Sequence, residues 1–194
     1  MKLFSVFYEK VMGWSRHRHA PAYLAGLSFA ESSFFPIPPD VMLAPMSMAS
    51  PSRAVWYASL TTLASVLGGV LGYLIGLLAF EAVAPTIKQM GYWDKYLTAR
   101  EWFDTWGFWA VFLAGFSPIP YKIFTITAGV AVLNFPGFVI ASLVGRGARF
   151  FLVAGLVVAG GERMEALIPR YVERLGWAVV VVTVVAVGYL MQSG

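Results

Sequence analysis

The sequence has little of the charge that a water-soluble domain carries on its surface. Only 12% of the 194 residues are charged, while 59% are hydrophobic, and the mean hydropathy is +0.71. A soluble domain of this length could bury a good core, but it would carry about twice this share of charged residues. The shortage of charge therefore argues against an ordinary soluble domain and predicts an integral membrane protein.

Cysteine is absent, and histidine occurs only twice. Without cysteine, neither a disulfide framework nor a thiolate nucleophile or metal site can form. His17 and His19 alternate with Arg16 and Arg18, and this basic setting favours contact with lipid headgroups over metal binding. No nucleophile–base set, phosphate-binding loop or zinc-binding helix is visible in the sequence. We therefore expect no enzymatic activity, no metal and no cofactor.

The basic residues are few and scattered. The net charge of +4 suits anionic lipid headgroups and cytoplasmic loops better than nucleic acid. One side of the membrane would hold eight basic residues: Lys2, Lys10, Arg16, Arg18, Arg53, Arg163, Arg170 and Arg174. The other side would hold three basic residues and four acids: Lys88, Lys95, Arg100, Glu81, Asp94, Glu101 and Asp104. The positive-inside rule then predicts a multi-pass protein with a cytoplasmic N-terminus.

Long uncharged runs predict the membrane spans. Residues 54–80 contain no charge, and a helix of that length would be about 40 Å long, enough for a hydrocarbon core of about 30 Å. Its glycines at every fourth position from Gly68 to Gly76 favour close helix packing. Further spans are predicted at 136–161 and 175–192. Residues 1–19 and 81–104 mix apolar and charged residues, which predicts interfacial segments.

Proline breaks another apolar stretch in its middle. Pro36, Pro38 and Pro39 remove three backbone donors within four residues, so a helix cannot continue through them. The flanking limbs, 20–35 and 41–49, are each short for a full crossing. We therefore predict a re-entrant helical hairpin, which is tolerated at membrane depth when protein or a wet cavity surrounds it.

The proline motif occurs twice. "PIPPD" begins at Pro36 and "PIPYK" at Pro118, 82 residues later. The same offset maps 54–80 onto the predicted span at 136–162, and the interfacial segment 3–19 onto 85–101. Each repeat then holds an interfacial helix, a re-entrant hairpin and one transmembrane helix, so the second repeat is inverted. The predicted fold is an all-α integral membrane protein, one domain over 1–194, with repeats at about 1–81 and 83–163 and an extra C-terminal helix at 175–192.

Five charged residues lie inside apolar sequence: Glu31, Asp40, Lys122, Arg146 and Arg149. A charge at membrane depth costs a few kcal/mol, so such residues face a partner or a cavity. The repeat places Asp40 and Lys122 at equivalent positions, where they could form either a functional or a purely structural ion pair. Glu31 either carries a proton or is hydrogen-bonded to Ser28, Ser32 or Ser33.

Arg146 and Arg149 lie three residues apart and so share a helix face. They stand ten and thirteen residues after Pro136, too far inside the helix to reach the interface. Two guanidiniums there suit a phosphate, which each can bind bidentately. We expect both to face the space between the hairpins, with at least one close to Glu31 or Asp40. The alternative is that the helix ends near Gly145 and "GRGAR" forms a loop.

Two segments carry a family resemblance. "FAESSFFPIPPDVMLAPMSMA" resembles the first signature of the DedA family, the SNARE-associated Golgi protein or VTT-domain superfamily. "FLAGFSPIPYKIFTITAG" resembles its second signature, particularly in the YqaA-like branch, and the likeness covers roughly residues 20–160. The resemblance implies bacterial inner-membrane proteins whose opposed re-entrant hairpins move lipids, such as undecaprenyl phosphate or glycerophospholipids, between leaflets. For several members it also implies a need for the proton gradient.

The resemblance also implies roles for particular residues. The functional acids are Glu31 and Asp40, and Lys122 stands where many members have arginine. The arginine usual before the second proline motif is missing, with Gly115 near its place, and Arg146 or Arg149 would supply that charge.

The function predicted is that of a lipid flippase or scramblase. Membrane lipids and protons are its expected partners, and a homo-oligomer is compatible with the sequence. The alternatives are a proton-coupled transporter of ions or small solutes and a non-transporting membrane scaffold.

Overall fold

A computed structural model describes residues 17–33, 38–91, 93–117 and 121–160. These ranges are helical apart from short turns, and no strand occurs within them. The helices are α1 (Ala20–Ser33), α2 (Asp40–Ala49), α3 (Ala54–Gln89), α4 (Trp93–Phe116), α5 (Tyr121–Val130) and α6 (Phe135–Gly160). The predicted all-α class is thus confirmed for this part of the chain. The interfacial helix expected before residue 17 and the extra helix expected at 175–192 lie outside the described residues.

Two helices of the described segments are long and apolar enough to cross a membrane. One is the segment Pro51–Ala82, 32 residues with a mean hydropathy of 2.1, and the other is Phe135–Gly160, 26 residues with a mean hydropathy of 1.6. The first contains most of α3 and the second is α6. Both agree with the expected spans, the uncharged run at 54–80 and the segment at 136–161 that carries Arg146 and Arg149.

The first half of the chain turns back on itself around the proline motif. The Ser28 hydroxyl donates to the Thr61 carbonyl (2.8 Å), and one turn further along the Ser32 and Ser65 hydroxyls are 2.7 Å apart. These contacts show that α1 runs parallel to the first turns of α3. The helix α3 begins just after α2 ends. Therefore α2 must return the chain from the end of α1 to the level of the start of α1. Ten residues of helix, about 15 Å, fit that distance.

In the second half of the chain, the end of α4 packs along α6. A Cβ added to Gly145 would lie 2.5 Å from the Phe112 carbonyl oxygen, and Arg149 donates to the Ser117 carbonyl at 2.5 Å. The end of α4 therefore runs parallel to the first half of α6. The short helix α5 then returns the chain to the start of α6.

The two long helices cross in opposite directions. Ser65 of α3 contacts Arg146 of α6, whereas the ring of Tyr73, further along α3, lies 5.1 Å from Phe138, near the start of α6. As the residue number rises on one helix it falls on the other. The spans are therefore antiparallel.

Glycines on α3 allow α1 and α5 to pack closely against it. A Cβ added to Gly68 would lie 2.1 Å from the Phe29 carbonyl oxygen of α1, and one added to Gly76 would lie 2.0 Å from the Ile126 carbonyl oxygen of α5. Only a residue without a side chain permits such a close approach of two backbones. The glycine face of α3 is therefore the seam on which the two halves meet.

The boundary between α3 and α4 differs from the one expected. The aromatic segment at 81–104 was predicted as a separate interfacial unit, but α3 continues to Gln89 and α4 runs without interruption from Trp93 to Phe116. Charged residues such as Glu81 do not stop a helix. The chain instead turns at Gly91, whose φ of 74° is the left-handed conformation that ends helices and favours glycine.

Candidate functional site: two ion pairs at the helix breaks

The site lies near the middle of the two candidate spans, Pro51–Ala82 and Phe135–Gly160. Arg146 and Arg149 stand close to the midpoint of α6, which is continuous from Phe135 to Gly160. The alternative in which "GRGAR" forms a loop is therefore wrong. Both side chains turn inward, toward the ends of the short helices.

Arg146 is bound within a closed ring of polar side chains. It is only 2% exposed and forms a salt bridge through Nη2 with Oε2 of Glu31. Its Nε donates to the Ser65 hydroxyl at 2.6 Å. That hydroxyl lies 2.7 Å from Ser32, whose own hydroxyl donates to Glu31 at 3.1 Å. The ring joins α1, α3 and α6 through charge-assisted hydrogen bonds.

Two aromatic rings lie against the same guanidinium. Its central carbon is 4.9 Å from the centre of the Tyr121 ring and 4.6 Å from that of Phe150. The Tyr121 hydroxyl, at the start of α5, donates to the Ser142 hydroxyl of α6. Arg146 thus exchanges its hydration for a carboxylate, a hydroxyl and two π faces, which is what a buried cation needs.

Arg149 links the two helix breaks. Its Nη2 binds Oδ2 of Asp40 at 2.6 Å, and its Nη1 donates to the Ser117 carbonyl at 2.5 Å. Asp40 is the first residue of α2, and Ser117 directly follows α4. An anion at a helix N-terminus and a cation at a helix C-terminus are both favoured by the helix dipole. Arg149 therefore ties the start of α2 to the end of α4.

The second oxygen of Asp40 has no partner among the described residues. Oδ1 is buried and makes no hydrogen bond to any described group. A desolvated carboxylate oxygen without a donor is costly. Asp40 is thus held less completely than Glu31.

The predicted charged residues are brought together with one exception. Each arginine pairs with one of the two acids, in agreement with the expectation that at least one would. Lys122 is the second residue of α5 and is partly buried, but it forms no ion pair with Asp40 within the described ranges. Arg149 from α6 takes that place at the carboxylate instead. The two repeat-equivalent charges are therefore not partners.

Two of the predicted hairpin prolines stand where α2 begins. Pro38 and Pro39 directly precede α2, and Pro39 is buried at its N-terminal end. Pro36, Pro118 and Pro120, the other predicted hairpin prolines, lie outside the described residues.

Ser65 and Tyr121 belong to the site but were not anticipated. Thr61 and Ser65 lie four residues apart in the uncharged span, so they share one polar face. That polar face is the feature of the sequence that could have identified Ser65. Tyr121 stands inside the second proline motif, next to Lys122.

Gly115 explains how Arg146 reaches its place. A Cβ added there would lie 3.3 Å from the backbone nitrogen of Arg146 and 3.4 Å from the carbonyl carbon of Gly145. A Cβ at this position would be a tight contact with α6, so glycine here allows α4 to pack closely against Arg146. The site thus has glycine on α4 and its cation on α6.

The helices and the buried charge pairs define a membrane protein with a polar centre. No cluster of three or more metal-ligating side chains occurs in the described segments. The family model of the VTT domain matches residues 37–159, well over half of the chain. The chain therefore belongs to the VTT-domain family, the DedA or SNARE-associated family.

Relatives of this chain are known from bacteria. An uncharacterized protein of Haemophilus influenzae is 50% identical over 186 residues, which cover 96% of this chain and 97% of the relative. A homologue from Histophilus somni is 46% identical over 185 residues, covering 95% and 97%. Undecaprenyl phosphate transporter A of Staphylococcus aureus is 32% identical over 121 residues, covering 59% and 58%. No solved structure matches the chain.

Proposed function

We propose that the protein is a lipid transporter, a flippase or scramblase that moves phosphate-containing lipids between the leaflets of the bacterial inner membrane. One observation carries the proposal. Two arginine–carboxylate pairs lie at mid-length of two antiparallel candidate spans, where the ends of short helices meet. Ionisable groups at such depth mark the path of a polar cargo more often than they serve packing alone.

The helix directions support an inverted repeat with re-entrant hairpins. The end of α4, both ends of α5 and the start of α6 follow those of α1, α2 and α3 by 81 to 83 residues. The first arm of each hairpin, α1 or the end of α4, runs parallel to the long helix of its own half, and the two long helices are antiparallel. The halves therefore point in opposite directions, an arrangement typical of transporters whose broken helices meet near the midplane. We place both hairpins within the membrane and the N-terminus in the cytoplasm.

The chemistry of the site suits a phosphate headgroup. Arginine binds phosphate bidentately, and in a poorly hydrated site this attraction is strong. Lys122, partly buried at the start of α5, would add a third cation along the path. The outer faces of α3 and α6 expose large apolar side chains, among them Leu63, Leu67, Ile140 and Leu143. The acyl tails would remain against such faces while the headgroup crosses.

Asp40 supplies a means of coupling to protons. When it takes up a proton, it stops competing with the cargo for Arg149. Loss of that proton restores the ion pair and expels the anion. The printed name of the staphylococcal relative, an undecaprenyl phosphate transporter, supports a phosphate-bearing lipid as the cargo.

The test is lipid movement in vesicles that contain the purified protein. A fluorescent phospholipid in both leaflets is bleached from outside, and transport is the extra fraction bleached relative to protein-free vesicles. We expect transport by the wild type and its loss in Arg149→Glu. Movement equal to that of empty vesicles would contradict the proposal. Proton-driven solute uptake without lipid movement would favour a solute transporter, and the absence of both would favour a scaffold.

A further inference from the structure

The two ion pairs differ in how completely the cation is enclosed. The Arg146 side chain is 2% exposed and that of Glu31 14%, whereas Arg149 is 18% exposed and Asp40 22%. Arg146 is also bonded to Ser65 and lies against two aromatic rings. An anion could bind Arg146 only by opening that whole ring of contacts. At Arg149 it would displace a single carboxylate oxygen.

The carboxylate at Arg149 is also the less satisfied of the two acids. Asp40 uses Oδ2 for the arginine, while Oδ1 is buried without a partner in the described part of the chain. Glu31 by contrast accepts from both Arg146 and Ser32. A buried oxygen without a hydrogen bond carries a desolvation cost that nothing offsets. Less free energy is therefore lost when Asp40 leaves its arginine than when Glu31 does.

Arg149 stays in position without its acid. Its Nη1 donates to the Ser117 carbonyl, a backbone group at the end of α4. When Asp40 leaves, the guanidinium remains anchored and presents Nη2 to the next anion. Arg146 has no backbone anchor of this kind, because its bonds within the described ranges all go to side chains.

We infer that the two pairs have different tasks. Arg149–Asp40 is the exchange site, where the phosphate of a lipid replaces Asp40 on the guanidinium. Arg146–Glu31 stays closed and holds α1, α3 and α6 together while that exchange occurs. The inference rests on the proposed function and assigns its headgroup capture to one residue, with Asp40 as the competitor that the headgroup displaces.

The first test compares the reactivity of arginines in the full-length protein. The purified protein in detergent is treated with an arginine-modifying dicarbonyl, with or without phosphatidylglycerol, and modified peptides are quantified by mass spectrometry. We expect Arg149 to be modified and the lipid to protect it, while Arg146 stays unmodified in both samples. Exposed Arg53 is the internal control, equally modified throughout. A third sample with inorganic phosphate tells whether the headgroup anion alone protects or the whole lipid is required.

Other labelling results would overturn the inference. Modification and lipid protection of Arg146 would reverse the assignment. An Arg149 that is unreactive in every sample, or equally reactive with and without both probes, would show that no exchange takes place there.

The second test removes the competitor. Asp40→Asn keeps the size of the side chain but removes its charge, so we expect phosphatidylglycerol to bind about fivefold more tightly, the worth of a partly exposed ion pair. Asp104→Asn makes the same change in an exposed acid of α4 and should leave the affinity unchanged. If the wild type binds and moves lipid but Asp40→Asn binds no more tightly, the exchange site is refuted while the transport function stands. If the wild type neither binds nor moves lipid, the transport function fails as well.

Discussion

Arg146 shows how a full positive charge is kept inside a helical core. Its guanidinium is compensated by Glu31, by the Ser65 hydroxyl and by the rings of Tyr121 and Phe150. Burial makes every partner important, because an ion left alone there retains its desolvation cost and loses the attraction that offsets it. The stability of the site should therefore depend more on whether every partner of Arg146 is present than on the number of charges.

Removing one member of this pair should cost more than removing both. We expect Glu31→Gln to lower the free energy of unfolding by about 3–5 kcal/mol, because it leaves Arg146 buried without a counter-charge. The double variant Glu31→Gln/Arg146→Gln should recover most of that loss. Denaturant unfolding of the purified protein in micelles measures both. A double variant no more stable than the single one would show that the pair does not act as a unit.

The hydroxyl of Ser65 should matter although it carries no charge. Ser65→Ala leaves Nε of Arg146 without its acceptor, so we expect a loss of about 1–3 kcal/mol. Ser59→Ala is the matched control, because within the described residues that hydroxyl bonds to the Val55 carbonyl of its own helix. The control should change stability by less than about 0.5 kcal/mol. Equal effects of the two substitutions in the same unfolding measurement would argue against the polar ring.

At the scale of elements, the glycine face of α3 decides how closely the hairpins approach. Gly68 accepts the backbone of α1 and Gly76 that of α5, so α3 contacts both halves of the molecule. Thr125 of α5 lies between them, and its hydroxyl reaches the Ser32 carbonyl at 3.5 Å. The polar ring thus lies beside the seam, and a shift of either hairpin would disturb it.

Widening this seam should destabilise the protein. In Gly76→Ala the new methyl would overlap the Ile126 carbonyl, so we expect a loss of about 1–3 kcal/mol, the usual cost of overpacking. Gly26→Ala is the matched control, since nothing lies within 4 Å of a Cβ there. It should be neutral or slightly stabilising, because alanine favours a helix by up to about 1 kcal/mol. Thermal unfolding of both variants decides, and a Gly76→Ala protein as stable as the control would contradict the close approach.

The sequence predicted those elements whose signals are local. Three prolines near residue 36 required a break, and α1 and α2 lie on either side of it. The uncharged run after Ala54 required a long helix. The α3–α4 boundary was misplaced because it depends on the single left-handed residue Gly91, whereas composition changes gradually around it. Likewise Arg149, rather than Lys122, binds Asp40, because helix packing and not repeat position decides which charges meet.

At the scale of the whole molecule, two antiparallel long helices carry the site at their crossing. Ser65 meets Arg146 near the middle of both candidate spans, and Tyr73 meets Phe138 near the start of α6. The ends of the helices must therefore fall into two groups. The start of α3 and the end of α6 belong to one group, while the end of α3 and the start of α6 belong to the other.

This arrangement can be tested because the chain contains no cysteine, so each introduced thiol reports one position. We expect Ser52→Cys, before α3, to react from the cytoplasmic side, where the basic loop residues are concentrated. Met90→Cys, just after α3, and Val132→Cys, just before α6, should both react from the opposite side. All three residues are exposed. In cells, an impermeant maleimide should label the second pair and spare the first position until the membrane is permeabilised. Labelling of Met90 and Val132 from different sides would refute the antiparallel spans. Labelling of all three positions from the side opposite to the expected one would keep the fold and reverse only its orientation.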